Sequence, residues 1–600
     1  MPHRFPALIA APAPGQGRLW LTGARLVDGT AGPARDGAAV LVEDGVIARI
    51  TSASEPCPDG ARALDLGQRT LMPGLIDAHT HTAGRMPGTL RGAEAELPGT
   101  AAHFLQAELR EYLRRGVTTI RITGSQGQRP QEARQAMRYG AFRGPRVLTC
   151  GKIISATAPG GRFYGDMYRE ADGPDDMRRA VREQFRAGAD FIKVMTTGAR
   201  SNELEDPDPL QLTGHELSAV ADEVHRMGFR LSAHAEGLTG CEAAIAHGAD
   251  TIEHGMYLNQ RPDLLDAMAA SGQVLVPTLS GYYWMAGLGD AIDPAQAEPV
   301  AEMPPELIEL ANHNIEQGSA SMRAARDAGV RIAMGSDTAL GSGLEVQRMV
   351  HHGLTPGQAL TAATQTAAQA LDLDEHIGTV EPGKLADLLI VDGDPLADPA
   401  VLADRNRVWL VLQLGIPVAG RALENDPAAA ALSALGTGLP DRRPLPEAVP
   451  GLREHQQAPL EAELEHDVVG EAGPHGPAAL GQDLVADQPA DRGIGDLPGA
   501  AGHREPVILP RRRAGLAVQR VPPVPAQVRL LGPGHHQQVQ PRRADHRAHR
   551  MHPGPAVGPH RAEKAQPDAV LIELPPAGGR QRRLFALEFC PAHHPADITQ

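Results

Sequence analysis

The run Leu71-Met72-Pro73-Gly74-Leu75-Ile76-Asp77-Ala78-His79-Thr80-His81 reads as a Pro-Gly turn feeding a short apolar strand that ends in two histidines. Alternate residues of a strand project from one face, so His79 and His81 stand side by side at its C-terminal end. Paired imidazoles chelate zinc and similar divalent ions. Four further residues with the chemistry to complete such a centre follow in chain order. Lys193 lies inside Phe191-Ile192-Lys193-Val194-Met195, and His234 inside Leu231-Ser232-Ala233-His234-Ala235. His254 lies inside Thr251-Ile252-Glu253-His254-Gly255, and Asp337 closes Arg331-Ile332-Ala333-Met334-Gly335-Ser336-Asp337. Each alone has an ordinary structural reading: a strand-edge lysine, two satisfied core histidines, a helix N-cap. Their recurrence at equivalent places in successive strand–helix units points to one shared site.

The elements that must position them follow from periodicity. From Pro73 onward, apolar runs alternate with helical patterns, which predicts βα units around a parallel sheet. Eight strands are expected, beginning near Leu75, Val117, Arg146, Phe191, Arg230, Thr251, Val274 and Arg331. Pro174-Asp175-Asp176 opens one intervening helix, with acidic residues suited to the helix dipole. Leu217, Val220, Ala221 and Val224 stripe another at helical spacing. The fold class is therefore α/β: a (β/α)8 TIM-like barrel over residues 73–371, whose functional residues belong at the strand C-termini. A last helix is expected around Pro356 to Leu371. Short strands at Leu19-Trp20-Leu21, Ala39-Val40-Leu41-Val42 and Val46-Ile47-Ala48-Arg49-Ile50 make residues 1–72 a small β unit. Strands are also expected within Ala386-Asp387-Leu388-Leu389-Ile390-Val391 and Val408-Trp409-Leu410-Val411-Leu412.

Together, His79, His81, Lys193, His234, His254 and Asp337 resemble the binuclear metal centre of the amidohydrolase superfamily. The surrounding text is similar to its imidazolonepropionase-like branch, which includes metal-dependent dipeptidases and ochratoxinase-type amidohydrolases. The phrases that carry this are Gly116-Val117-Thr118-Thr119-Ile120-Arg121, Gly188-Ala189-Asp190-Phe191-Ile192-Lys193-Val194-Met195, Thr251-Ile252-Glu253-His254-Gly255 and Val276-Pro277-Thr278-Leu279. The match runs from about Leu19 to about Ala419. It implies that residues 372–424 complete the N-terminal unit as one discontinuous β-sandwich domain.

The same resemblance implies two divalent ions, most often zinc. His79, His81 and Asp337 would hold the first, His234 and His254 the second, and a carbamylated Lys193 would bridge them. Burial among Phe191, Ile192, Val194 and Met195 lowers a lysine pKa, which favours the neutral amine that reacts with carbon dioxide. The expected activity is hydrolysis of an amide or peptide-like C–N bond of a small substrate. Water activated between the metals would attack, with Asp337 as general base and then acid. Two alternatives stay open: a cyclic amide or lactone hydrolase on the same centre, and a non-catalytic, metal-stabilised scaffold.

Substrate contacts are less constrained. Dipeptidase-like relatives often carry Gly-Gly-His after the third strand, whereas this chain reads Pro159-Gly160-Gly161-Arg162-Phe163-Tyr164-Gly165. A tyrosine expected after the fourth strand is replaced near Gln211-Leu212-Thr213. Both departures argue against simple dipeptide specificity. Five of the seven tyrosines (Tyr164, Tyr168, Tyr257, Tyr282, Tyr283) fall in predicted βα loops beside Trp284, a clustering that suits an apolar or aromatic group. Arg162 and Arg200 are candidates to pair with a substrate carboxylate. His225, His247, His351 and His352 read as helix residues, the last two at a C-terminus where positive charge is favoured.

At 600 residues the chain exceeds what one hydrophobic core usually serves. A net charge of −16 argues against nucleic-acid or anionic-membrane partners and leaves a small molecule as the expected ligand, with homo-oligomerisation open. Cys57, Cys150, Cys241 and Cys590 lie far apart without paired spacing, which suits a reducing compartment. No signal-peptide core or spanning stretch is read, so a cytoplasmic location is expected.

Past Asn425 the sequence has no Asn, Tyr or Trp, and it is dense in Pro, Gly, Arg, Gln and His. Residues 425–600 are expected to be a disordered tail, since they lack apolar surface to offset chain entropy. Their composition also fits an out-of-frame extension of a GC-rich gene. A protein ending near Asn425 is expected to fold and keep its activity. Unfolding or loss of metal on truncation would show instead that the tail contributes to the core.

Overall fold

Strands from the two flanks of the chain meet in one sheet. In the computed structural model, which describes residues 17–82, 99–201, 204–294 and 305–425, this sheet has eight strands. Five come from the N-terminal flank: β1 (Arg18–Leu26), β2 (Arg35–Glu43), β3 (Val46–Ser52), β4 (Ala61–Asp65) and β5 (Thr70–Pro73). A second group occupies the middle of the chain: β6 (Leu75–Thr80), β7 (Val117–Ile122), β8 (Arg146–Thr149), β9 (Ile153–Ser155), β10 (Tyr168–Glu170), β11 (Ile192–Met195), β12 (Leu231–Ala235), β13 (Thr251–His254), β14 (Val274–Val276) and β15 (Arg331–Ile332). The C-terminal flank adds β16 (Leu388–Val391), β17 (Val408–Gln413) and β18 (Ile416–Ala419). The flank sheet runs β18-β17-β16-β5-β1-β2-β3, with β4 also on β1. The antiparallel β5–β16 pair, with Met72 opposite Leu389, joins the two ends of the chain.

The central strands form two parallel sheets, β6-β7-β8 and β10-β9-β11-β12-β13-β14-β15. All eight strands expected from periodicity are among them. Strands β9 and β10 are additional, short pieces flanking a helix at Pro159–Tyr164 that the apolar pattern does not announce. Backbone bonds link the two sheets at both margins. Asp190 N–H reaches Thr149 O at 2.8 Å on one side. On the other, Ala78 N–H reaches Met334 O at 2.9 Å and Asp337 N–H reaches His79 O at 2.8 Å.

Local chemistry explains the helices. Gly214–Arg226 starts at a capping box in which Thr213 and Glu216 satisfy each other's backbone, and its Leu217, Val220, Ala221 and Val224 are buried. Pro174–Arg186 opens on proline with Asp175 and Asp176 in its first turn. The single helix expected over Pro356 to Leu371 is two, Pro356–Ala362 and Gln365–Ala370. The carbonyls of Ala362 and Ala363 are diverted to Met334 N–H and Ile76 N–H, both at 2.9 Å, so the helical ladder breaks there. The residues from 426 on, including the tail expected to be disordered, lie outside the described residues, as do residues 1–16. No helix among the described residues is long and apolar enough to cross a membrane.

Candidate active site

The ends of β6, β11, β12 and β13 and the turn after β15 converge on one cleft that opens to solvent. His79, His81, Lys193, His234, His254 and Asp337 all line it. Ring centroids lie 5.5 Å apart for His79 and His81, 5.2 Å for His79 and His254, and 4.5 Å for His234 and His254. Asp337 Oδ1 stands 3.3 Å from His79 Nε2 and 3.2 Å from His81 Nε2. Among the described residues, the ligand atoms of His79, His254 and Asp337 fall within 4.8 Å of one another.

Strand register produces most of this convergence. Lys193 pairs with Ser232, and His234 with Glu253. Alternation therefore puts Lys193, Ser232, His234, Thr251 and Glu253 on one face. His254 belongs by alternation to the other face, but its φ of 70° turns the chain left-handed and returns the ring to the cleft. Thr278 and Asp337, each at φ 52°, end neighbouring segments in the same way. Such strained residues persist only where their surroundings over-determine them, and they gather at functional sites. Gly335 is required for close approach: a Cβ there would lie 2.6 Å from that of His79.

Each imidazole is held by the protein through a ring nitrogen. His79 Nδ1 meets Glu253 Oε2 at 2.7 Å, His81 Nδ1 meets Gly124 O at 3.3 Å, and His234 Nε2 meets Gly198 O at 3.1 Å. These oxygens accept, so the engaged nitrogens donate to them. His254 Nδ1 sits 2.7 Å from the Thr278 hydroxyl. Burial, with His234 and His79 nearby, holds the His254 pKa well below the usual imidazole range, so it is neutral. Burial alone would raise the Asp337 carboxyl, but His79 and His81 hold it well below the usual carboxylate range. Imidazole nitrogens and a carboxylate gathered this closely are the donor types that a divalent cation takes. Among the described residues Lys193 Nζ has no hydrogen-bond partner, and burial pushes its pKa down to about 8. The donor set thus fits divalent metal.

Sequence reasoning missed the carboxylate beneath this set. Glu253 is fully buried and bonds His79, Ser232 Oγ at 2.7 Å, Thr251 Oγ1 and Arg121 Nη2 at 2.7 Å. Burial alone would raise its pKa, but Arg121, Lys193 and His79 keep it well below the usual range. Its neighbour Arg121, 2% exposed, also bonds Ala78 O and Thr251 Oγ1. Replacing Arg121 by leucine removes the guanidinium partner of Glu253 while the carboxylate stays buried. Arg121→Leu should therefore cost roughly 3–5 kcal/mol, read as a lower urea midpoint. An unchanged midpoint would show that Glu253 is compensated elsewhere.

Comparison with known proteins agrees with this geometry. The amidohydrolase family model matches residues 70–416. Ochratoxinase of Aspergillus niger is 30% identical over 421 residues, covering 65% of this chain and 84% of that protein. Imidazolonepropionase of Paracoccus denitrificans is 27% identical, covering 57% of this chain and 83% of its own length. A crystal structure of a Xaa-Pro dipeptidase with bound methionine superposes with a TM-score of 0.59 at 26% identity, covering 67% of this chain and 99% of that one. The chain belongs to the amidohydrolase family. It is accordingly a hydrolase of carbon–nitrogen bonds, in a family that is generally metal-dependent.

The walls of this amidohydrolase's cleft are largely apolar. Tyr164 and Tyr282 line it with Ile153, Met167, Tyr168 and Met195, and Trp284, 49% exposed, stands at the rim. Tyr164 hydroxyl bonds Ser201 Oγ at 2.6 Å, and Tyr282 donates to Glu236 Oε1 at 2.8 Å.

Four of the expected substrate residues are not on the walls. Arg162 is exposed on its short helix, two positions before the inward Tyr164. Arg200 is buried but committed to Asp208, with its guanidinium 5.5 Å from the Tyr257 ring centroid. Tyr257 turns to His313 Nε2 at 3.1 Å. Tyr283 donates to Ile292 O at 2.6 Å and stacks under Arg348. His352, expected to favour a positive charge, lies beside Tyr283. Burial, with His351, Arg323 and Arg348 close by, pushes its pKa down to about 4.

Proposed function

We propose that this chain is a metal-dependent amidohydrolase that cleaves an amide bond of a small substrate carrying an apolar or aromatic group. The observation that carries the reading is the convergence of His79, His81, Lys193, His234, His254 and Asp337 on one cleft. His79, His81 and Asp337 would hold one divalent ion and His234 and His254 a second, with a carbamate on Lys193 between them and zinc as the metal. Bound divalent ions would polarise the scissile carbonyl and render water nucleophilic near neutral pH. The residues divide the remaining work. Asp337 would take the proton of the attacking water and return it to the leaving nitrogen. Ile153, Tyr164, Met167, Tyr168 and Met195 exclude water and seat the apolar group.

The eight parallel strands β6, β7, β8 and β11 to β15 would close as a (β/α)8 barrel. The backbone bonds between the two central sheets support that closure. The test is a panel of N-acyl amino acids, dipeptides and aryl amides offered to metal-analysed protein, with amine release measured. Amides with an aromatic group should turn over, stop with chelator and resume with zinc. A metal-replete protein that hydrolyses none of them would overturn the reading.

A further inference from the structure

Beneath the cleft, a second buried carboxylate lies outside the set described so far. Glu345 is fully buried on the helix Ser342–His351 and does not line the cavity. Its Oε1 accepts Leu279 N–H at 2.9 Å and its Oε2 accepts Ser280 N–H at 2.7 Å. These amides begin the helix Leu279–Met285, where backbone donors have no partner within the helix. The residue before them is Thr278, whose left-handed φ of 52° is costly for a β-branched side chain. Its hydroxyl is the atom against His254 Nδ1. A bidentate anchor on the next two residues holds such a turn in place.

One turn along the same helix, Arg348 brackets Ser280 from the other side, donating to Ser280 Oγ at 2.8 Å and to Gly289 O at 2.6 Å. The held turn leads straight into the cleft wall. A Cβ on Gly281 would lie 2.8 Å from Asp337 Oδ2, and Tyr282 and Trp284 follow. A small displacement of Leu279 and Ser280 would move the Thr278 hydroxyl on one side and the wall against Asp337 on the other.

We propose that Glu345 is a positioning residue: by pinning the Thr278–Ser280 turn it orients His254 for metal and sets the Tyr282–Trp284 wall of the cleft. The metal half of this statement rests on the function proposed above; the wall half does not. Glutamine at 345 keeps the shape but offers one acceptor oxygen, so one of the two amides loses its partner and faces an NH2 group. Glu345→Gln should therefore release zinc to a chelating dye roughly 10–100-fold more readily and lower kcat by a similar factor, the usual scale for groups that orient a ligand. Thr278→Val deletes only the hydroxyl and leaves the β-branched backbone strain unchanged. It should reproduce the zinc effect, and the double variant should lose no more than the larger single one.

Trp284 supplies a readout that needs no metal, because the other tryptophans, Trp20 and Trp409, are 2% and 7% exposed. In metal-free full-length protein, Glu345→Gln should change acrylamide quenching of the exposed tryptophan, with Trp284→Phe assigning the signal. Wild-type protein that binds no zinc would sink the metal reading and leave this measurement to judge the wall. Wild-type quenching in Glu345→Gln would overturn the wall half. Wild-type zinc retention in a zinc-binding protein, or losses that multiply in the double variant, would overturn the orientation of His254. Should Glu345→Gln fail to fold, Arg348→Lys loosens the same turn from the Ser280 side, and the same outcomes apply to it.

Discussion

Replacing Lys193 by alanine is expected to strip the centre of metal, most clearly at low metal concentration, and to abolish turnover with it. The ammonium group of an ordinary lysine is no ligand, so its presence here needs a reason. Nζ is buried, lines the cleft among the histidines and has no hydrogen-bond partner among the described residues. A buried polar group left unpaired is a costly arrangement unless something absent from the bare chain engages it. A carbamate on Nζ would convert the one cation of the set into an anion with two oxygens, a change of sign that two divalent ions require.

Lys193→Met separates this role from packing, because it refills the space without the amine. Both variants should lose metal alike, whereas a purely packing role would spare the methionine variant. Millimolar short-chain carboxylic acid should partly restore metal and activity in Lys193→Ala by occupying the vacated volume. Metal analysis beside steady-state rates decides it. Two metals and near-normal rates in Lys193→Ala would end the bridging reading.

What the sequence made legible was tied to period. Eight of the ten central strands carry apolar runs long enough to be read, and the three-residue β9 and β10 do not. The six candidate ligands were visible because each is a polar residue within an apolar strand run or just after one. Glu253 was hidden by the same rule. It precedes a histidine that attracts attention, yet alternation pairs it with His234 and points it inward. The helix break at Ala363 was illegible because it depends on carbonyls captured by β6 and Met334, contacts distant in sequence. Clustering in loops marked the tyrosines as a group but could not sort them. Tyr282 and Tyr283 are adjacent on one helix, so the first faces the cleft and the second faces Arg348. Arg162 and Arg200 lie off the cleft walls for reasons a charge in the sequence does not report: Arg162 is exposed on its short helix and Arg200 is committed to Asp208.

Asp337→Asn should do the opposite of Lys193→Ala, keeping much of the metal while losing turnover. Asparagine tolerates the left-handed conformation that Asp337 adopts at φ 52°, so the backbone, including its N–H bond to His79 O at 2.8 Å, can stay as it is. The amide oxygen remains a neutral donor toward a cation beside His79 and His81. What disappears is the ability to accept a proton, since an amide is far too weak a base. If Asp337 both ligates and moves the proton, the chemical step should slow by roughly the 10²–10⁴-fold typical of general acid–base groups. KM should change little, because the apolar walls that seat the substrate are untouched. Thermal midpoint and metal content, measured on the same preparation, guard against a folding defect. An Asp337→Asn protein that keeps its metal and turns over at the wild-type rate would remove Asp337 from the proton path and leave it a ligand alone.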